Sequence, residues 1–181
     1  MLVGGRSSRM GRDKALLPFH GGLLVESVAG AVRLAAGNVV LVGNPRPFGQ
    51  FSCGCVPDIY PGEGPLGGIL TALQHSTADW NLIVGCDMPG LTGYFLGKLL
   101  DAAREGDVDA LLPAGPSHHL EPLCAVYHGR VRHALYAAFA RGVRKITESL
   151  EGLRTAAFLV PDAACFENVN TPAEWARYAA E

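Results

Sequence analysis

The chain has 181 residues, enough for one well-buried core and short for two, so a single domain spanning 1–181 is expected. Hydrophobic residues make up 49% and charged residues 18%, a globular balance with no apolar run long enough to span a bilayer. A net charge of −2 gives no global attraction for nucleic acid or for an anionic substrate, so any anion site must be local.

The first residues, MLVGG, lack a basic stretch followed by an apolar one. No secretory signal is expected, and a cytoplasmic location is the default. Cys53, Cys55, Cys86, Cys124 and Cys165 are odd in number and lack C-x-x-C spacing. They read as ordinary buried thiols rather than as a disulfide framework or a zinc site.

In chain order, helical spacing of apolar residues predicts helices over 24–34, 66–74, 94–104 and 131–140. Short, nearly uncharged runs at 39–42, 82–84, 110–112 and 124–127 predict strands covered on both faces. The alternation predicts an α/β fold, a three-layer α/β/α domain around a Rossmann-like, mostly parallel sheet. Ligands of such a sheet bind beyond the carboxyl ends of its strands, so loops after strands are the places to search.

The first such loop, residues 4–14 (GGRSSRMGRDK), follows a stub strand and carries four cations and one acid, a local charge of +3. Gly4 and Gly5 remove Cβ atoms that would keep phosphate oxygens away from backbone N–H groups. Over a screening length of about 8 Å, a triphosphate feels this cluster far more than the weakly negative remainder. The spacing fits neither G-x-x-x-x-G-K-[ST] nor G-x-G-x-x-G, which disfavours a P-loop NTPase or a dinucleotide-binding dehydrogenase.

Asp87 follows the predicted strand at 82–84, placing a carboxylate where an open α/β sheet binds ligands. Mg²⁺ needs only one or two carboxylates beside phosphates and water, so Asp87 suffices as a ligand, although a strand-end aspartate also serves as a helix N-cap. Asp79 reads as a solvated turn residue. Near the end, Asn168 and Asn170 bracket Val169 at strand alternation, which points both amides the same way. Thr171, Pro172 and Glu174 form a capping-box pattern that explains themselves but not the asparagines. Neutral amides suit a polar acceptor or a metal-bound phosphate.

Residues 2–14 (LVGGRSSRMGRDK) resemble the L-x-G-G-x-S-x-R-M-G-x-D-K signature of the molybdenum cofactor guanylyltransferases and related nucleotidyltransferases. Asp58 with PGEGPLGGI at 61–69, CDMP at 86–89, EPLCAVY at 121–127 and NVNTPAE at 168–174 agree with it in family order. Val3 stands where the family usually has alanine, and the strand before the loop is cut to three residues. Either the true start lies upstream, or neighbouring strands hold it.

The resemblance implies a nucleotide-diphospho-sugar transferase type of fold and transfer of GMP from GTP to molybdopterin, releasing pyrophosphate. It implies nucleotide contacts from Leu2, Val3, Gly4, Gly5, Lys14, Asn44, Asp58 and Asp87. Lys14, Arg9 and Asp87 would be the catalytic residues, Mg²⁺ would sit on Asp87, and Asn168 and Asn170 would meet the acceptor. Asp58 would accept from N1 and N2 of guanine. Asn44 reads equally as a turn former before Pro45. Arg144-Lys145 and His118-His119 can reach an acceptor but read more simply as surface pairs. Transient contact with molybdoenzymes or cofactor-delivery proteins is implied, with no nucleic acid and no membrane. The alternatives are the same fold using CTP or another phosphorylated acceptor, and a non-catalytic GTP-binding delivery protein.

Overall fold

The computed structural model describes residues 1–4, 14–49, 51–166, 168, 169 and 175. The short hairpin β1 (Pro18–Phe19) and β2 (Gly22–Leu23) leads into α1 (Leu24–Ala36), followed by β3 (Leu41–Val42) and β4 (Cys55–Val56). Then come α2 (Pro65–His75), β5 (Trp80–Val84), α3 (Gly93–Glu105), β6 (Ala110–Ala114) and β7 (Cys124–His128). The described part closes with α4 (Arg132–Ala140), α5 (Ile146–Ser149) and β8 (Thr155–Leu159).

Residues 1–3 sit between β3 and the end of β5, with Leu2 bridged in parallel to Val42 on one side and to Gly85 on the other. Leu2 N–H donates to Val84 O (2.8 Å), Val3 N–H to Val42 O (2.9 Å) and Cys86 N–H to Leu2 O (3.1 Å). Neighbours thus hold this segment despite its length, and Met1 and Val3 are buried. Through it β3 and β4, paired in parallel, join the sheet of order β5-β7-β6-β8.

The sheet is mixed. β6 and β8 run parallel, whereas β7 is antiparallel to both β5 and β6. The link 115–123 is too short to carry a crossover helix, so the chain turns back beside β6. The expected strands are present. β8, absent from the sequence reading, is an edge strand with alternating exposure and little apolar signal.

Alternate side chains of the sheet feed two cores. Leu66, Ile69 and Leu70 of α2 and Leu135 and Phe139 of α4 pack with Ile83, Leu112 and Tyr127. On the other face, α1 and Leu96 of α3 pack with Leu41 and Val84, and Leu99 and Leu100 with Leu111 and Val126. These layers are the expected α/β/α arrangement.

Sequence explains the helix ends. Glu26 Oε2 accepts from Leu23 N–H (2.9 Å) at the start of α1, and Gly37 at φ 79° ends it, its N–H returning to Arg33 O (2.8 Å). Pro65 occupies the opening of α2, as its fixed φ favours. Thr92 Oγ1 caps α3 by accepting from Phe95 N–H (3.2 Å). No described helix is long and apolar enough to cross a membrane.

Candidate active site

Four adjacent elements, β4, β3, residues 1–3 and β5, run parallel, so their carboxyl ends share one edge. Asp58, Asn44, Gly4 and Asp87 lie on the segments that leave those ends, in that order across the sheet. Three inter-strand spacings separate the outer two elements, about 14 Å.

Close approaches fix this edge. A Cβ on Gly43 would lie 1.8 Å from Val3 O, so only glycine lets β3 exit against the first segment and leave Asn44 beside Gly4. Gly4 itself has φ 130°, a conformation that side chains disfavour. A Cβ on Gly85 would lie 2.8 Å from Asp87 Oδ1, so the missing side chain makes room for the carboxylate.

Asp87 meets Lys14 across the edge, with Oδ2 4.0 Å from Nζ. Lys14 opens a tight turn whose next residue, Ala15, is fully buried, which anchors the lysine's backbone. Asp87 O accepts from Val169 N–H (3.0 Å). That bond brings the exposed Asn168 alongside Asp87, although residues 168 and 169 are not in a regular strand. Asp87 does not cap a helix: α3 begins at Gly93 under Thr92, so the capping alternative is replaced by a carboxylate facing a cation. Gly5, Arg9 and Asn170 lie outside the described residues.

Asp58 is fixed to α2. Its Oδ1 accepts from Tyr60 N–H (3.0 Å) and from Thr71 Oγ1 (2.9 Å), and Thr71 Oγ1 accepts from Ile59 N–H (3.1 Å). Adjacent glycines let α2 come close: a Cβ on Gly67 would lie 2.9 Å from Tyr60 Cβ, and one on Gly68 would lie 3.1 Å from Leu2 Cδ1. Asn44 Oδ1 accepts from Arg46 N–H (3.2 Å), the expected turn, while the residue stays exposed.

Glu121 was legible as part of a motif but without a role. Burial raises its pKa above the ordinary value, His119 opposes this, and Asp87 adds a smaller upward push. Among the described residues no three of His, Cys, Asp and Glu converge on one point. A partly exposed carboxylate such as Asp87 suits a hard dication that keeps water and phosphate ligands, not a closed protein cage.

The other candidates have different surroundings. Arg144 Nε donates to Glu63 Oε2 (2.7 Å) and Lys145 Nζ lies 3.4 Å from Glu148 Oε1, so both have carboxylate partners at the surface. Asp79 is exposed, as expected. All five cysteines are free of disulfides; Cys53, Cys86 and Cys124 are buried as expected, whereas Cys55, in the short strand β4, and Cys165, near the end of the described chain, are only half-buried. A groove of about 380 Å³ between α2 and α4, lined by Tyr60, Leu70, Gln74, Arg132, His133 and Tyr136, shares only Tyr60 with the loop after Asp58.

The sequence profile of the MobA-like NTP transferase domain matches residues 1–155. The chain is 36% identical to the molybdenum cofactor guanylyltransferase of Xanthomonas euvesicatoria pv. vesicatoria, over 98% of this chain and 91% of that protein. Among solved structures, it superposes on molybdopterin-guanine dinucleotide biosynthesis protein A from Archaeoglobus fulgidus with a TM-score of 0.82 and 26% identity, covering 99% and 95% of the two chains. A manganese complex from Mycobacterium tuberculosis H37Rv shares the fold, with a TM-score of 0.70, 14% identity and coverage of 99% and 96%.

Proposed function

Because the chain belongs to the family of MobA-like NTP transferase domains, we propose that it is a molybdenum cofactor guanylyltransferase acting as a single domain in the cytoplasm. GMP passes from GTP to molybdopterin and pyrophosphate leaves. The observation that carries this reading is the row of Asp58, Asn44, Gly4 and Asp87 at the ends of four adjacent parallel elements. One end of the row offers a carboxylate for a base and the other a carboxylate beside a lysine.

In this reading Asp58 accepts from guanine N1 and N2 with its remaining acceptor capacity, while Thr71 and Tyr60 hold its Oδ1. Asn44 and the backbone at Leu2 and Val3 line the nucleoside. The amides of Gly4 and Gly5 hold the triphosphate. Asn168 and Asn170 orient the acceptor phosphate.

An acceptor phosphate oxygen attacks the α-phosphorus of GTP in line. The new P–O bond forms as the bond to the bridging α–β oxygen breaks, and that oxygen departs with pyrophosphate. Lys14 and Arg9 stabilise charge on the α-phosphoryl and leaving group, so the protein contributes positioning and charge neutralisation rather than a covalent intermediate. Asp87 would hold Mg²⁺, which when bound would neutralise phosphate charge. The product is then handed to a molybdoenzyme or delivery protein.

Purified protein incubated with Mg²⁺, molybdopterin and each NTP in turn, with mass spectrometry of the products, tests the reading. The guanine dinucleotide should form with stoichiometric pyrophosphate. Faster formation of the cytosine dinucleotide would end the guanylyl assignment and leave the chemistry intact. GTP binding without product would favour a delivery role.

A further inference from the structure

Glu63 and Arg144, far apart in sequence, meet beside the loop that leads from Asp58 into α2. Arg144 Nε donates to Glu63 Oε2 (2.7 Å), and its Nη1 donates to the carbonyls of Phe139 (2.8 Å) and Val143 (3.0 Å). The guanidinium carbon lies 4.0 Å from the centre of the Phe139 ring, which also packs against the Tyr60 ring with centroids 4.9 Å apart. The end of α4 and the turn after it thus grip the loop at two points, Tyr60 and Glu63.

The loop needs holding. Gly62 and Gly64 flank Glu63 at φ 83° and 82°, and glycines in such a run leave the backbone many alternatives. The grip leads directly to the proposed base contact, because Tyr60 N–H donates to Asp58 Oδ1. The ion pair has little to do with overall stability. Its side chains are 42% and 47% exposed, and pairs so placed contribute little. Arginine suits the task because one planar fork serves the carboxylate, two carbonyls and a ring face together, which lysine cannot.

We infer that Arg144 is a positioning residue which, through Glu63, holds the 60–64 loop in the form that presents Asp58 to the nucleobase. This rests on the guanylyltransferase reading and on Asp58 as its base contact. Arg144 here acts on the nucleotide end of the reaction and not on the acceptor.

The test compares wild type with Arg144→Ala, Arg144→Lys, Glu63→Gln and the Arg144→Ala/Glu63→Gln pair. Amide hydrogen exchange and steady-state kinetics with GTP, CTP and molybdopterin are the readouts. In Arg144→Ala the amides of residues 60–68 should exchange faster, with the rest of the chain unchanged. KM for GTP should rise about fivefold and the preference for GTP over CTP should fall by a similar factor, with kcat and the molybdopterin KM nearly constant. Arg144→Lys should not restore the preference, and the pair should be no worse than the worse single variant. If Arg144→Ala does not fold, Glu63→Gln carries the same expectations.

Unchanged exchange, an unchanged base preference, additive losses, or a rise confined to the molybdopterin KM would each overturn the inference while leaving the guanylyltransferase reading standing. A wild-type protein that transfers no nucleotide from any NTP would overturn that reading, and the inference with it.

Discussion

Two aspartates at opposite ends of the sheet show how differently one fold can engage the same side chain. At the amino end of β6, Asp109 Oδ1 accepts from Arg130 Nε (2.6 Å) and Oδ2 from the backbone N–H of Arg154 (2.8 Å), with its side chain only 11% exposed. These bonds tie together the starts of β6 and β8 and the residues after β7. At the carboxyl end, Asp87 is 29% exposed and faces Lys14 at 4.0 Å, beyond hydrogen-bond range. Asp109 is saturated by its own fold, whereas the Asp87 carboxylate is partly exposed and meets its cation only at long range. The bonds from Arg154, with smaller help from Arg130, hold the Asp109 carboxyl well below the usual carboxylate range.

Substitutions should split along that line. The largest effect is expected at Asp87: Asp87→Asn removes the charge that suits a hard dication and should lower turnover about 10³-fold, with residual activity demanding more Mg²⁺. Its unfolding free energy should stay within about 1 kcal/mol of wild type, because the residue caps no helix and is partly exposed. Retained turnover with an unchanged Mg²⁺ dependence would erase the contrast. Next, Lys14→Ala should cost about 10²-fold in kcat/KM, comparable with losing one preorganised donor to a developing anion. An unchanged rate would reduce the first loop to a turn.

A smaller effect is expected at the base. Asp58→Asn keeps an oxygen for Tyr60 and Thr71 but loses the anionic acceptor, so the GTP-over-CTP preference should fall about tenfold in paired kcat/KM measurements. An intact preference would move base recognition elsewhere. The smallest effect on catalysis belongs to Asp109→Asn, which should leave turnover within twofold and lower stability by about 1–3 kcal/mol at pH 7 in denaturant unfolding.

The sign of its pH dependence follows from the depressed pKa. The stabilisation is complete above the unfolded-state pKa of about 3.9 and is lost progressively as pH falls below it towards the folded value. The stability gap between wild type and Asp109→Asn should therefore be flat from pH 7 to about 5 and narrow below about 4. A gap that widened in acid would refute the assignment.

Much of this arrangement was legible in the sequence. Apolar spacing located the four long helices to within two residues at either end. A short apolar strand followed by an aspartate located Asp87, because in an open α/β sheet position after a strand is position at the ligand edge. Other features depend on contacts that no local pattern encodes. Thr71 holds Asp58 only because Gly67 and Gly68 let α2 come close, and Glu63 meets Arg144 across 81 positions. The direction of β7 followed from the length of a loop, not from its own residues. The resemblance carried the roles of Gly5, Arg9 and Asn170, which lie outside the described residues.

The central claim is that nucleotide binds along the edge from Asp58 to Asp87. Titration of isotopically labelled protein with Mg²⁺ and GTP, followed by amide chemical shifts, tests it most directly. The amides of Leu2, Gly4, Asn44, Asp58 and Asp87 should move together with one saturable dependence, while those of Asp109, Arg130 and Arg154 stay in place. Shifts at the Asp109 end with none between Asp58 and Asp87 would contradict the account.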